Sequence, residues 1–249
     1  SPNTNTTLHG SVTGVDCVGG GSNNGTFPNG MGHFRTLWAA RRGSQPAISC
    51  EIAARQGSDV LQLKRLRGSV VNDTLASDRF YGQLNLNELH FFAGGHVAPP
   101  IAGGRIYEYQ HRVYYVKHNA NSIPTLYRHS LSSTALMGVA EPLVEGVEIM
   151  RFEFGIDTNG DSAVDTYLKT SDVTDSLWDQ HRDAEIVSVQ IHLLLRAFEQ
   201  DSAFSAGMTR TYPMLGGTFS VPDDGYRRKH VSTTVVIRNP WLKTAGEMP

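Results

Sequence analysis

The sequence predicts an α+β fold that is predominantly antiparallel β. Three observations lead to this prediction: apolar and polar residues alternate in several segments, helical periodicity is weak throughout, and glycine is frequent, at 25 of 249 residues. A chain of this length can bury a substantial core and is long enough for one large domain or two small ones; the absence of a linker-like or repeated segment favours one. We therefore expect a single domain over residues 1–249, with a disulfide-stapled loop region at about 14–50 and a β-rich body at about 58–240.

The first half of the chain predicts a long loop followed by separated strands. Residues 14–32 are mostly Gly, Asn, Ser and Pro, which is typical of a loop, and residues 31–42 predict at most a short helix. A strand is expected at 59–66. A second strand at 105–117 is joined by a polar turn to residues 124–129, so these two segments predict a hairpin.

The middle of the chain predicts a second hairpin. An alternating strand at 147–156 leads into an aspartate-rich turn, and residues 166–169 follow it as a short partner strand. A short helix is expected at 174–182.

The last third contains the clearest alternation in the chain, at 185–197. An irregular stretch over residues 211–217 follows, and the final strand is expected at 228–238.

The charge balance argues against two classes of partner. The net charge is −2, which gives no electrostatic basis for nucleic acid or an anionic membrane as the main partner. The basic run at 227–230 is more typical of a solvated strand start than of a surface that binds DNA or an acidic partner.

No apolar run is long enough to span a bilayer. We interpret the polar start of the sequence, which has no initiator Met, as that of a mature or truncated fragment.

Cys17 and Cys50 are the two cysteines, and they flank the glycine-rich loop. This arrangement predicts a disulfide in an exported protein. Two unrelated buried thiols are the alternative. Closing a loop of this length stabilises the fold by about 3–4 kcal/mol in the chain-entropy model.

The aspartate-rich turn predicts a calcium site. Asp157, Asn159 and Asp161 have the spacing of the first three ligands of an EF-hand loop, and Asp165 stands where a direct or water-bridged ligand is common. Oxygen-bearing side chains at this spacing can surround one hard cation.

The same turn departs from the EF-hand pattern at two positions. Ser162 replaces the turn-making Gly, and Leu168 replaces the bidentate Glu. A calcium site here would therefore be weak, or would borrow an acid such as Glu153 or Asp172. A hairpin turn that needs no metal is the alternative.

No motif predicts catalysis. The chain has no Gly-x-Ser-x-Gly nucleophile elbow, no zinc-like Cys and His spacing, and no phosphate-binding loop in its glycine-rich segment. We therefore expect no enzymatic activity.

Four segments of the second half together carry a family resemblance. They are residues 143–148 (LVEGVE), 154–161 (FGIDTNGD), 187–196 (VSVQIHLLLR) and 224–239 (DGYRRKHVSTTVVIRN). In this order they resemble the PilW-type minor pilins of type IV pili and, more distantly, the J-type minor pseudopilins of type II secretion. The resemblance spans about residues 140–240, and its last segment is the most specific.

The resemblance implies a pilin-like globular head whose N-terminal hydrophobic helix is missing from this chain. It implies a structural subunit of the priming and tip complex that initiates pilus assembly and supports adhesion and twitching motility. The implied partners are other minor pilins, a pilus-tip adhesin, and the major pilin through the missing helix. That helix would also anchor the subunit in the bacterial inner membrane, with the head in the periplasm before assembly and in the extracellular pilus afterwards.

Three other readings are open. A minor pseudopilin of a type II secretion system is the nearest. A secreted calcium-dependent binding module would belong to a different class, as would a secreted hydrolase, for which the sequence offers no motif.

Overall fold

The computed structural model describes residues 5–9, 14–21, 23–28, 34–51, 53–179, 184–204, 209–215, 217–221 and 224–237. These residues form fourteen strands and one short helix, whose bounds follow. They are β1 Asn5–His9, β2 Leu37–Arg41, β3 Asp59–Val70, β4 Phe80–Leu84, β5 Glu88–Ala93, β6 Arg105–His118, β7 Pro124–Ser130, β8 Ala140–Glu145, β9 Val147–Asp157, β10 Thr166–Lys169, α1 Asp175–Trp178, β11 Glu185–Gln200, β12 Arg210–Met214, β13 Gly217–Val221 and β14 Tyr226–Val236.

The chain divides into two compact units, an N-terminal unit over residues 2–149 and a C-terminal unit over residues 150–249. Strand β9 begins in the first unit and ends in the second. Each unit is built around its own β-sheet.

Strand β6 organises the eight-stranded sheet of the N-terminal unit. Along one edge it pairs with β3. Along the other edge it pairs first with β4, through Arg105 to Tyr109, and then with β7, through Arg112 to His118. The remaining strands are added outward, and all pairs are antiparallel except β1 with β5.

The core of the N-terminal unit is aromatic. Phe80, Phe91 and Tyr109 are buried together, and the ring of Phe27 packs against Phe80 with centroids 5.0 Å apart. Tyr109 comes from the face of β6 that also carries Val113, and both residues are buried. Period-two alternation therefore sets the core face of β6.

The C-terminal unit contains a four-stranded sheet in the order β10-β9-β11-β14 and a separate hairpin of β12 and β13. Its core lies on β9, where Phe152, Phe154 and Ile156 are almost fully buried. Trp178 of α1 packs edge-on against Phe154, with ring centroids 4.9 Å apart. Thr174 caps the helix by accepting a hydrogen bond from the backbone N–H of Leu177.

The predicted antiparallel character is confirmed. All seven predicted strands are present within a few residues, and both predicted hairpins form, β6 with β7 and β9 with β10. Residue 238 of the last predicted strand lies outside the described residues. The helical part of the α+β prediction is not shown, because α1 is the one helix among the described residues.

Two local predictions were wrong. Residues 37–41 of the predicted helix at 31–42 form β2, which pairs antiparallel with β3, and its successive residues Leu37, Trp38 and Ala39 are buried on both faces of the strand. Residues 31–33 lie outside the described chain. The stretch at 211–217 was expected to be irregular, but most of it belongs to the hairpin of β12 and β13. The helix expected at 174–182 is four residues long, and residues 180–182 are not described.

Within the described stretches, no helix has the length and apolar composition required to cross a bilayer.

Candidate functional site

The aspartate-rich turn forms the tip of the hairpin between β9 and β10. Ile156 pairs with Thr166 at the base of the turn, and the N–H of Asp165 donates to the carbonyl of Ile156 at 2.9 Å. Gly160 and Ser162 have positive φ angles of 81° and 68°. Glycine adopts this conformation readily, whereas serine adopts it at a conformational cost.

Asp157 is the centre of this turn. Its carboxylate accepts hydrogen bonds from the backbone N–H groups of Asn159 at 3.0 Å, Gly160 at 2.7 Å and Ser162 at 2.7 Å. Burial disfavours the charged carboxylate, but these backbone donors outweigh it and hold the pKa of Asp157 below its ordinary value. Asp157 therefore organises the turn through its own hydrogen bonds.

The other three predicted calcium ligands are also used as hydrogen-bond acceptors. Asn159 accepts from the N–H of Asp161, and Asp161 accepts from the N–H of Ala163. Asp165 accepts from both the N–H and the hydroxyl of Thr158, at 2.7 Å each. No three acidic, His or Cys side chains of the described chain are grouped closely enough to hold a metal ion. The donor chemistry suits calcium, but the arrangement seen here is a self-bonded turn.

Cys17 and Cys50 form a disulfide, with Cα atoms 4.7 Å apart, as the sequence predicts. The loop between them is fixed to the sheet at both ends. At the Cys50 end, Glu51 accepts from the ammonium of Lys117 at 2.6 Å and from the hydroxyl of Tyr115 at 3.1 Å, both on β6.

At the Cys17 end, Asn24 is fully buried against β3. We call Asn24, Gln62 and Lys64 the Asn24 anchor. The side-chain amide of Gln62 donates to the side-chain oxygen of Asn24 at 2.6 Å, and the ammonium of Lys64 donates to the backbone oxygen of Asn24 at 2.8 Å. Polar side chains thus hold a loop whose glycines have no side chains to pack.

Lys64 of this anchor and His111, its pairing partner on β6, are two buried titratable groups. Burial lowers the pKa of Lys64 to about 7, with Asp16 opposing the shift and Arg35 adding to it. Burial, followed by the positive charge of Lys64, holds the pKa of His111 well below its ordinary value. Sequence reasoning missed this buried cluster, because Lys64 and His111 lie in ordinary alternating strands.

The basic run at 227–230 is largely neutralised by neighbours. Arg227 pairs with Asp201 at 2.7 Å, and Arg228 pairs with Asp224 at 2.6 Å. His230 stacks on His192, with ring nitrogens 3.0 Å apart. Among the described residues, Lys229 is exposed, and neither it nor His230 has an ion-pair partner.

Strand β14 lies at one edge of the described C-terminal sheet and carries exposed apolar side chains. Its residues from Ser232 to Val236 are all exposed, on both faces of the strand. Val235 is 49% exposed and Val236 is 66% exposed. These apolar side chains therefore do not pack into the core.

A family model described as Type IV Pilus-assembly protein W, or PilW, matches residues 113–239, just over half of the chain. The chain belongs to the PilW family. No curated protein and no solved structure matches it significantly.

The PilW match extends from the second half of β6 to just beyond β14. It includes the aspartate-rich turn, the basic run and the exposed part of β14. Cys17, Cys50 and the Asn24 anchor lie wholly outside it, so the disulfide rests on this chain's own structure.

Proposed function

We propose that this PilW-family chain is the globular head of a minor pilin, acting as a structural subunit of the priming and tip complex that initiates type IV pilus assembly. The family match carries the proposal, because it covers the entire described β-sheet of the C-terminal unit. We propose that the head acts through its exposed surfaces, without chemical transformation of a substrate, and thereby supports adhesion and twitching motility. The whole chain would act as one pilin-like head.

The proposed partners are other minor pilins and a pilus-tip adhesin. An N-terminal hydrophobic helix outside this sequence would hold the head at the inner membrane, facing the periplasm, and would later pack with the major pilin in the fibre. About 20 apolar residues are enough for such a helix. Exposed strand edges are suitable contact surfaces, since their backbone groups are free to pair.

Deletion of the gene in the native bacterium tests this function. We expect loss of surface pili by electron microscopy and loss of twitching zones, both restored by the wild-type gene in trans. Normal piliation together with failed secretion of extracellular enzymes would instead identify a type II pseudopilin. Normal piliation and normal secretion would contradict both assembly roles.

The proposal includes calcium at Asp157, Asn159, Asp161 and Asp165. Four oxygen-bearing side chains on one turn support it, whereas their hydrogen bonds within the turn oppose tight binding. We therefore expect weak, millimolar binding. Calcium should raise the melting temperature of the wild type but not of Asp161→Asn, which removes one charge and keeps the acceptor for Ala163. Equal melting temperatures of the wild type in calcium and in chelator would contradict a calcium site.

A further inference from the structure

The edge strands β8 and β14 differ in how they are protected against pairing with a strand of another molecule. Strand β8, at an edge of the N-terminal sheet, contains Pro142, the acids Glu141 and Glu145, and a register shift opposite Leu126 and Tyr127. Proline, charge and bulges are the features by which proteins prevent unwanted strand pairing. Strand β8 is therefore a protected edge.

Strand β14 has none of these features over its last six residues. The segment from Val231 to Val236 contains no proline, no glycine and no charge, and five of its six residues are β-branched. Its register with β11 is continuous there, from Leu193 with Val231 to Ser188 with Val236. A long, regular, uncharged edge is a favourable template for another strand.

The register also shows which backbone groups face outward. The N–H of Ile237 donates to the carbonyl of Val187 at 2.9 Å, so residue 237 pairs directly with β11. Backbone groups alternate in direction along an antiparallel strand. The N–H and C=O groups of Ser232, Thr234 and Val236 therefore point away from β11, toward the edge with which no described strand pairs.

We propose that the outward edge of β14, from Ser232 to Val236, binds an extended strand of another pilus component by main-chain pairing. This inference rests on the proposed function and names the contact surface for it. The added strand would continue the sheet of the C-terminal unit beyond β14, and its side chains would cover Val235 and Val236, which are exposed in this structure.

Charge indicates the chemistry of the partner strand. Strand β14 carries Arg227, Arg228 and Lys229 at its start and no acid at any position. Arg227 and Arg228 have acidic partners, but Lys229 has none in the described chain. The matching strand is uncharged and apolar opposite residues 232–236 and carries an acid opposite Lys229.

A second copy of this chain fits this requirement poorly. Its β14 supplies no acid. Its β8 supplies Glu141 and Glu145, but Pro142 lacks an N–H and the register is shifted beside it. The other described edge strands, β1, β2, β10, β12 and β13, contain no acid either. The occupant is therefore a strand of a different protein.

Thr234 provides a matched pair of test variants. Thr234→Pro removes one outward N–H and leaves the bonds to β11 intact, since Thr234 faces the free edge. Thr234→Val changes the side chain and keeps the N–H. The probes are the purified soluble heads of the other minor pilins and of the tip adhesin from the same bacterium, titrated against each variant by calorimetry.

We expect at least one head to bind the wild type, with Thr234→Pro weakening that affinity by about tenfold or more and Thr234→Val changing it by less than about threefold. Wild-type affinity retained by Thr234→Pro would overturn this proposal and leave the proposed function standing. Failure of every head to bind the wild type would overturn the proposed function itself. Concentration-dependent dimerisation that Thr234→Pro abolishes would overturn the choice of occupant.

Hydrogen exchange of the wild type gives a readout that does not depend on a variant folding. The amides of Ser232, Thr234 and Val236 should exchange rapidly in the free head and slowly in the complex. Those of Thr233 and Val235, which face β11, should be slower in the free head. Slow exchange at Ser232, Thr234 and Val236 in the free head would show a covered edge and overturn the proposal.

Discussion

The ammonium of Lys64 donates a hydrogen bond to the backbone oxygen of Asn24 at 2.8 Å, and both residues are almost completely buried. A buried amine of this kind is costly when charged. Here it connects a strand of the sheet to the loop closed by the disulfide, so its ionisation affects how firmly that loop is held.

Lys64 makes folding stability depend on pH above neutrality. Its pKa falls from 10.5 to about 7 on folding, so between these values the unfolded chain binds a proton that the folded chain does not. Stability therefore rises with pH in this window, by up to about 1.4 kcal/mol per pH unit. Urea unfolding at pH 7, 8 and 9 should show this rise in the wild type and a smaller one in Lys64→Met. Parallel pH profiles would contradict the assignment.

His111 should make the protein sensitive to acid. Its folded pKa lies well below 6.5 because of burial and the charge of Lys64, so below pH 6.5 the unfolded state takes up a proton more readily. Stability therefore decreases as pH falls through this range. Urea unfolding between pH 7 and pH 5 should show a steeper loss for the wild type than for His111→Asn. An unchanged slope in the variant would assign the acid sensitivity to other groups.

Loss of the disulfide should destabilise the head substantially. Cys17 and Cys50 are 33 residues apart, and a loop of this length corresponds to about 3–4 kcal/mol. The double variant Cys17→Ser/Cys50→Ser should lose about this much unfolding free energy in urea, as should the reduced wild type. A loss below about 1 kcal/mol would mean that the anchors at Asn24 and Glu51 hold the loop without the covalent bond.

The aspartate-rich turn should depend on Asp157 even without metal. Asp157→Ala removes the acceptor of three backbone N–H groups, so we expect the melting temperature in chelator to fall by roughly 3–6 °C. Asp161→Asn keeps its single acceptor role and serves as the matched control. Equal melting temperatures of wild type and Asp157→Ala in chelator would contradict a self-bonded turn.

Alternation predicted the strands with regular pairing, and it failed where other constraints dominate. Strand β4 was missed because it contains Gly82 and polar Gln83, which are tolerated since β4 is paired on both sides. In β11, alternation places Leu194 on the same face as the polar Gln190 and His192, yet Leu194 is completely buried. Burial on both faces of a strand is decided by neighbours that the local sequence does not specify.

The candidate sites show the same limit. The pairing of Cys17 with Cys50 could be predicted because the chain has two cysteines. The position of the aspartate-rich turn could be predicted because it depends on nearby residues. The exposed edge of β14 could not be predicted, since its edge position results from its place after β11 in the sheet. Which strand lies at an edge is a property of topology and not of local pattern.

Strand β2 lies between Cys17 and Cys50, so the covalent ring encloses part of the sheet. A protease that cuts once anywhere between the two cysteines would leave both fragments attached through sulfur. The nicked head would migrate as one chain until a reductant separated the fragments, and β2 could still return to its place beside β3. In this segment the backbone is thus dispensable for keeping the molecule in one piece.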